Sequence, residues 1–161
     1  MSTRPHDLAM HAVLATLTGG HRVLHRVSGG RLGRHFPGGQ QVVWVATVGR
    51  RSGQWRRTPL LAVRDGSGGD LAPYVVAGSN GGQAKVPGWV LNMQAHPAGF
   101  LEVDGRHWQV CFDQAHGADR DLLYKRLVDS WQGFDGYTRR AGRSIPVFRI
   151  RLQSEVSGRS G

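Results

Sequence analysis

The sequence predicts an α+β fold in which about six strands form a mixed, mainly antiparallel sheet or barrel, with one helix mid-chain and helices near both termini. Two observations carry this expectation. Short runs of β-favouring residues recur at close spacing between glycine-rich turns, and no regular alternation of strand and long helix supports a doubly wound parallel sheet. The 161 residues fit one domain, since a chain of this length buries about two-thirds of its unfolded surface around a single core. We expect an N-terminal helical segment over 1–20, a core over 21–152 and a flexible tail over 153–161.

The elements follow in order. Leu8, Ala12, Leu14 and Ala15 lie at near-helical spacing within Asp7 to Leu17, and Gly19-Gly20 ends that helix. A second helical stretch covers His21 to Val27, before the turn at Gly29 to Gly33. The first strand is Gln41 to Val48, rich in valine with Trp44. Gly49 to Gln54 connects it to a second strand, Trp55 to Arg64, which ends at the turn Asp65 to Gly69. Tyr74 to Ser79 forms the third strand. Pro87, with its fixed φ, suits the first turn of a helix running to about His96, and Pro97 stops it. Leu101 and Val103, then Trp108, Val110 and Phe112, alternate with polar residues around Asp104-Gly105, as in a hairpin with one apolar face. Helix returns from about Ala118 to Trp131, with a shorter one over Phe134 to Arg139. The last strand is Ile145 to Leu152, with Phe148, Ile150 and Leu152 on one face and Arg149 and Arg151 on the other; from Ser154 onward the chain looks like a frayed end.

Hydrophobic residues at 39% and charged residues at 20% match ordinary globular usage and disfavour a disordered or membrane-spanning chain. The first ten residues lack an apolar signal core, so the cytoplasm is the expected location, with a peripheral membrane contact of the N-terminal segment left open. Cys111 is the only cysteine, which removes an internal disulfide and any cysteine zinc cage; it reads as a packed strand thiol. His21 and His25 share a helix face without a third ligand, so no metal site is expected. The unusual quantity is charge: 21 Lys and Arg against 11 Asp and Glu give +10. Such a field attracts nucleic acid, an anionic membrane face or a polyanionic small molecule, and net charge does not choose among them.

Two stretches have the residue types for anion or ligand binding. In Gly49-Arg50-Arg51-Ser52-Gly53-Gln54-Trp55-Arg56-Arg57-Thr58-Pro59-Leu60, two glycines bracket a connection whose N–H groups can face an anion. Arg50, Arg51 and Arg56 supply forked donors that match phosphate and carboxylate. Three such contacts at about 1.5–3 kcal/mol each give a gross gain of several kcal/mol before binding entropy. A solvated basic hairpin fits the same segment equally well. The second stretch is Ser79-Asn80-Gly81-Gly82 with Lys85, Pro87, Trp89 and Asn92, where glycines permit close ligand approach and a helix begins. Trp89 as core and Asn92 as a capping group is the plainer account of that stretch taken alone.

In order, Gly49-Arg50-Arg51-Ser52-Gly53 with Arg56, Pro59 and Leu60, then Ser79-Asn80-Gly81-Gly82, then Pro87-x-Trp89-x-x-Asn92-x-x-Ala95-x-Pro97, then Arg143-Ser144-Ile145-Pro146-Val147, resemble the deazaflavin-dependent nitroreductase family. The resemblance spans roughly His21 to Leu152. It implies a split β-barrel and a reductase that passes hydride from reduced coenzyme F420 to a small-molecule acceptor such as a quinone, an enone or a nitro compound. By position it implies that Arg50, Arg51, Ser52, Gly53 and Arg56 hold the anionic tail of the coenzyme. Pro59, Ser79, Asn80, Gly81, Gly82, Lys85, Trp89 and Asn92 would line the rest of its groove. Trp131, Phe134 and Tyr137 match the aromatics that close the family's acceptor pocket; some relatives carry tyrosine at all three. Tyr137 or Ser79 would serve as hydrogen-bond donor to the acceptor oxygen.

Two other readings start from the same residues. A related split barrel would take FMN in place of F420. A basic nucleic-acid-binding module would use Arg50 to Arg57 with Trp44 and Trp55 as stacking surfaces, although no helix-turn-helix, zinc-finger or RNA-recognition signature accompanies them. The sequence carries no Gly-x-Gly-x-x-Gly fingerprint after a strand, no Walker loop and no nucleophile elbow. Oligomeric state is not legible in it.

Overall fold

In the computed structural model the described residues are 39–66, 68–80, 83–130 and 137–157, with the side chains of 137 and 138 left aside. The helices expected over Asp7 to Leu17 and His21 to Val27, the histidines His21 and His25, Gly81, Gly82, Trp131 and Phe134 all lie outside them.

Six strands close into a barrel in the order β1-β2-β3-β6-β5-β4. β1 is Gln41–Val48 and β2 Trp55–Arg64, both with the bounds read from the sequence. The valine-rich run of β1 and the glycine-containing turns on either side of β2 leave little choice about where these strands begin and end. β3 is Tyr74–Ala77, and helix α1 is Gly88–Ala95. β4 is Ala98–Val103 and β5 Arg106–Ala115, followed by α2 over Gly117–Ser130, α3 over Tyr137–Ala141 and β6 over Val147–Glu155.

Every pairing among these strands is antiparallel, so the parallel component of the expected mixed sheet is not found among the described residues. Tight hairpins enforce this for β1-β2 and β4-β5, because a parallel return needs a long crossover. β3 stops two residues short of Ser79: the Gly78 N–H donates to Pro146 O at 2.8 Å, and the chain leaves the sheet there. Pro87 precedes α1 as its cap, with ψ 145, instead of occupying its first turn. β4 starts at Ala98, three residues before the alternating pattern suggested, because Phe100 is buried in an outer cluster with Ala46 and Trp55 while Leu101 points into the barrel. α3 is described from Tyr137 to Ala141, and the expected start at Phe134 lies outside the described residues. β6 runs on to Glu155, so 153–155 are strand and not tail. Ser154 pairs with Gln109 and Glu155 with Trp108, and Arg106 Nη2 meets Glu155 Oε2 at 2.8 Å.

The barrel interior holds Val43, Val45, Tyr74, Val76, Leu101, Trp108, Val110, Phe112, Phe148 and Ile150, and α1 packs on it through Val90 and Met93. Outside the barrel, Leu123 and Leu127 of α2 cover Val63, Val75, Ala115 and Val147. Both clusters use alternate residues of the same strands, as a two-residue period requires. α2 is also tied electrostatically: Arg149 of β6 bonds Asp119, and Asp65 after β2 receives Arg149 and, at 3.0 Å, Arg126. Cys111 is a free thiol within β5, half-buried.

Candidate functional site

The site arises from an incomplete seam in the barrel. β2 pairs with β1 along its length, from Gln41↔Ala62 to Val48↔Trp55, but with β3 only at Val63↔Val75 and Arg64↔Tyr74. Beyond those two pairs the strands diverge, and the edge of β2 from Arg56 to Leu61 faces an open groove of about 1030 Å³. Pro59 is compatible with this position because a strand edge without a ladder partner does not need its N–H. A groove of this size matches the upper range of small-molecule sites.

One end of the groove is the β1-β2 connection. Gly49 N–H donates to Gln54 O at 2.7 Å and Gly53 N–H to Gly49 O at 2.8 Å, which folds the segment into a tight turn. Gly53 has φ +67, a backbone setting that glycine adopts without steric penalty. It is absent from the groove lining, so its contribution is to turn shape. Arg50, Arg51, Ser52 and Arg56 line the groove and are exposed. Arg50 is held by α1: Asn92, 6% exposed, accepts from Arg50 N at 3.1 Å and Arg50 Nη1 at 3.2 Å. The Asn92 amide also donates to Thr47 Oγ1 at 3.4 Å. Asn92 is thus a bridge between helix and strand, in addition to a groove residue.

The opposite wall comes from the segment after β3. Buried Ser79, and exposed Asn80, Gln83 and Lys85, line it, with Val86, Pro87, Gly88 and Trp89 continuing into α1. Asn80 has φ +47, and its Nδ2 donates to Gln83 Oε1 at 3.1 Å and Lys85 O at 3.2 Å. Trp89 is half-buried and packs on Phe148 with ring centroids 6.1 Å apart, so it serves core and groove together.

The electrostatics are one-sided. Arg50, Arg51, Arg56 and Lys85 line the groove, and no Asp or Glu stands among its described lining residues. The acidic side chains are engaged elsewhere: Glu102 with Arg57 at 2.7 Å, Asp113 with Arg151 at 2.9 Å, Asp65 and Asp119 with Arg149. The adjacent arginines Arg56 and Arg57 therefore differ in kind. Arg57 lies over the Trp44 ring at 3.9 Å on the barrel's outer face, and burial lowers its pKa against the opposing pull of Glu102. Trp55 packs on Phe100, with ring centroids 5.3 Å apart. The two tryptophan rings considered as stacking surfaces are accordingly packed within the protein.

Of the residues expected at a ligand site, Arg50, Arg51, Ser52, Arg56, Pro59, Ser79, Asn80, Lys85, Trp89 and Asn92 converge on one groove. Tyr137 begins α3. Sequence reasoning missed Leu61, Ala77, Gln83, Val86 and Gly88 as lining. Leu61 and Ala77 become walls because β2 and β3 separate, a tertiary event without a local signal; Gln83, Val86 and Gly88 flank expected residues and were reachable by extension. Among the described residues no group of His, Cys, Asp and Glu could hold a metal ion, and no helix is long and apolar enough to cross a membrane.

Known proteins match this arrangement. The profile of the F420H(2)-dependent quinone reductase family matches residues 20–151. The F420H(2)-dependent quinone reductase Rv1261c of Mycobacterium tuberculosis is 30% identical over 130 residues, covering 79% of this chain and 84% of the relative. Among solved structures, an F420-H2 dependent reductase, FDR-A, aligns with TM-score 0.58 at 27% identity over 68% of this chain and 93% of that one. A protein solved as a domain-swapped dimer aligns with TM-score 0.61 at 24% identity over 87% and 99% of the two chains, which speaks for the fold alone. With the match running from residue 20 to residue 151, through every barrel strand, the chain belongs to the F420H(2)-dependent quinone reductase family.

Proposed function

We infer that the split between β2 and β3 is the coenzyme site of an F420H2-dependent reductase acting on quinone-type acceptors. The observation that carries this reading is the pairing of four cations with no carboxylate along a groove of about 1030 Å³. A coenzyme with a phosphate and an oligoglutamate tail needs that distribution of charge, and a ring system needs the apolar wall of Pro59, Leu60, Val86 and Trp89 beside it. Arg50, Arg51, Arg56 and Lys85 would grip the tail, with Ser52 adding a hydroxyl. Pro59, Ser79, Asn80, Trp89 and Asn92 would flank the ring. Bound there, the reduced deazaflavin supplies a hydride, two electrons at once, to the acceptor.

The chain's own work is binding, orientation and exclusion of water. Arg50 is pre-set by Asn92, so part of the ordering cost of gripping an anion is met before binding. Ser79, 7% exposed and on the groove wall, would donate a hydrogen bond to an acceptor oxygen. Tyr137, with Trp131 and Phe134, is assigned to the acceptor side on the family pattern. Tyr137→Phe should lower turnover with quinones by about tenfold at saturating coenzyme while leaving coenzyme affinity unchanged, as loss of a single transition-state donor does. Wild-type turnover in that variant would remove Tyr137 from the mechanism.

The decisive experiment is anaerobic. Calorimetric titration with F420H2 should show saturable binding, and absorbance should then show coenzyme oxidation on adding quinone, enone or nitro acceptors. FMN and duplex DNA serve as competing ligands. No saturable uptake of F420 in either redox state would refute the assignment.

A further inference from the structure

The connection between α3 and β6 brings one more guanidinium against the groove, from behind its wall. Arg143 Nη2 donates to Gly78 O at 2.9 Å and Nε donates to Ala84 O at 3.0 Å. The same Nη2 lies 3.3 Å from both Gln83 O and Lys85 O. These carbonyls belong to the segment after β3 that presents Ser79, Asn80, Gln83 and Lys85 to the groove, yet Arg143 is not itself among the lining residues. The segment is secured at two further points. Gly78 N–H bonds Pro146 O, three residues beyond Arg143, and Asn80 Nδ2 reaches Lys85 O. Lys85 O therefore accepts from Asn80 on one side and Arg143 on the other.

We propose that Arg143 is a positioning residue: by gathering the carbonyls of Gly78, Gln83, Ala84 and Lys85 it shapes the groove wall facing the Arg50 turn, and so sets coenzyme affinity without touching the coenzyme. The fork matters more than the charge. A guanidinium has five N–H donors in a fixed plane, so Nη2 can meet the carbonyls of Gly78, Gln83 and Lys85 while Nε takes that of Ala84; an ammonium has one nitrogen and cannot hold both points. The clamp also ties the groove wall to the segment carrying α3, so the acceptor side and the coenzyme side share one connection.

This inference rests on the reading of the groove as the coenzyme site, and its test separates the two. Arg143→Ala and Arg143→Lys are prepared in the full chain, with thermal melts as a check on folding. Amide hydrogen exchange over Gln83 to Lys85 reads the wall without any ligand, and calorimetry reads F420H2 affinity. Both variants should exchange faster there and bind coenzyme about tenfold more weakly, while turnover at saturating coenzyme stays within about threefold of wild type. Added guanidinium ion should restore part of the affinity of Arg143→Ala. Unchanged exchange in both variants overturns the clamp, whatever the ligand does. Faster exchange with unchanged affinity overturns its link to coenzyme binding, and wild-type behaviour of Arg143→Lys shows that charge alone suffices and overturns the fork. If Arg143→Ala does not fold, Arg143→Lys decides. Failure of the wild-type chain to bind F420H2 defeats the groove assignment and leaves the exchange result to judge the clamp.

Discussion

Replacing Asn92 tests whether the groove's arginines are pre-set by the fold or merely near one another. Asn92 is 6% exposed and makes contacts at 3.1 and 3.2 Å to Arg50 and at 3.4 Å to Thr47. In Asn92→Ala the Thr47 hydroxyl and the Arg50 amide lose their partner. At about 1–1.5 kcal/mol for each well-formed bond, and less for the long one, the cost is about 2–3 kcal/mol. For a domain of this size that lowers the melting temperature by about 5–10 °C. Release of Arg50 should also weaken F420H2 binding by about tenfold, equivalent to about 1.4 kcal/mol. Asn92→Asp separates the two effects. It keeps an oxygen for Arg50 and adds ionic attraction, so stability falls less than in the alanine variant. Its carboxylate neutralises Arg50, however, and removing one unit of attraction at about 8 Å costs about 0.5–2 kcal/mol for effective dielectrics of 80 to 20. Coenzyme affinity should therefore drop in Asn92→Asp despite the retained fold. The assays are chemical denaturation, with slope and midpoint both recorded, and calorimetry at fixed ionic strength. Wild-type stability in Asn92→Ala, or wild-type affinity in Asn92→Asp, would refute the reasoning.

Other consequences follow from the same geometry. Arg56→Ala should raise the coenzyme dissociation constant by about tenfold or more with little change in saturated turnover, and should flatten its dependence on salt, as loss of one groove charge does. A Cβ at Gly99 would run into Ala46 O across the β1-β4 seam and stand 2.7 Å from Phe112 Cζ of β5. Backbone cannot yield there as a side-chain tip can, so Gly99→Ala should destabilise the barrel by about 3 kcal/mol or more, read by denaturant midpoint. The Asp119 carboxyl is held below its ordinary value chiefly by its hydrogen bond to Arg149, so the stability it contributes is complete above the usual carboxylate range and is lost as pH falls through the lowered pKa. Melting temperature should therefore fall more gently between about pH 4 and pH 2 in Asp119→Asn than in wild type; parallel curves would dissociate that ion pair from acid unfolding.

What was legible in the chain was local or periodic. β1 emerges with its bounds because a valine-rich run favours the pleat, and β2 because glycine-containing turns stand at both its ends. The cations at 50, 51, 56 and 85 were visible as residue types near turns, and the ordered motifs through Val147 were enough to suggest family and coenzyme. Tertiary structure decided the rest. The groove exists because β2 and β3 share only two residue pairs before parting, and pairing register is a relation between strands that neither contains alone. The same placement sends Arg56 to the groove and Arg57 to Trp44 and Glu102, since successive strand residues face opposite sides. Asn92 became a bridge to Thr47 and Arg50, and Arg143 a clamp on carbonyls about sixty positions earlier, only when the barrel brought distant segments within hydrogen-bond reach. Ser154 and Glu155, polar enough to read as a tail, are strand because β5 supplies their partners. Composition and periodicity act over a few residues, whereas a site with the right charge on every wall is a property of which distant residues the closed sheet makes neighbours.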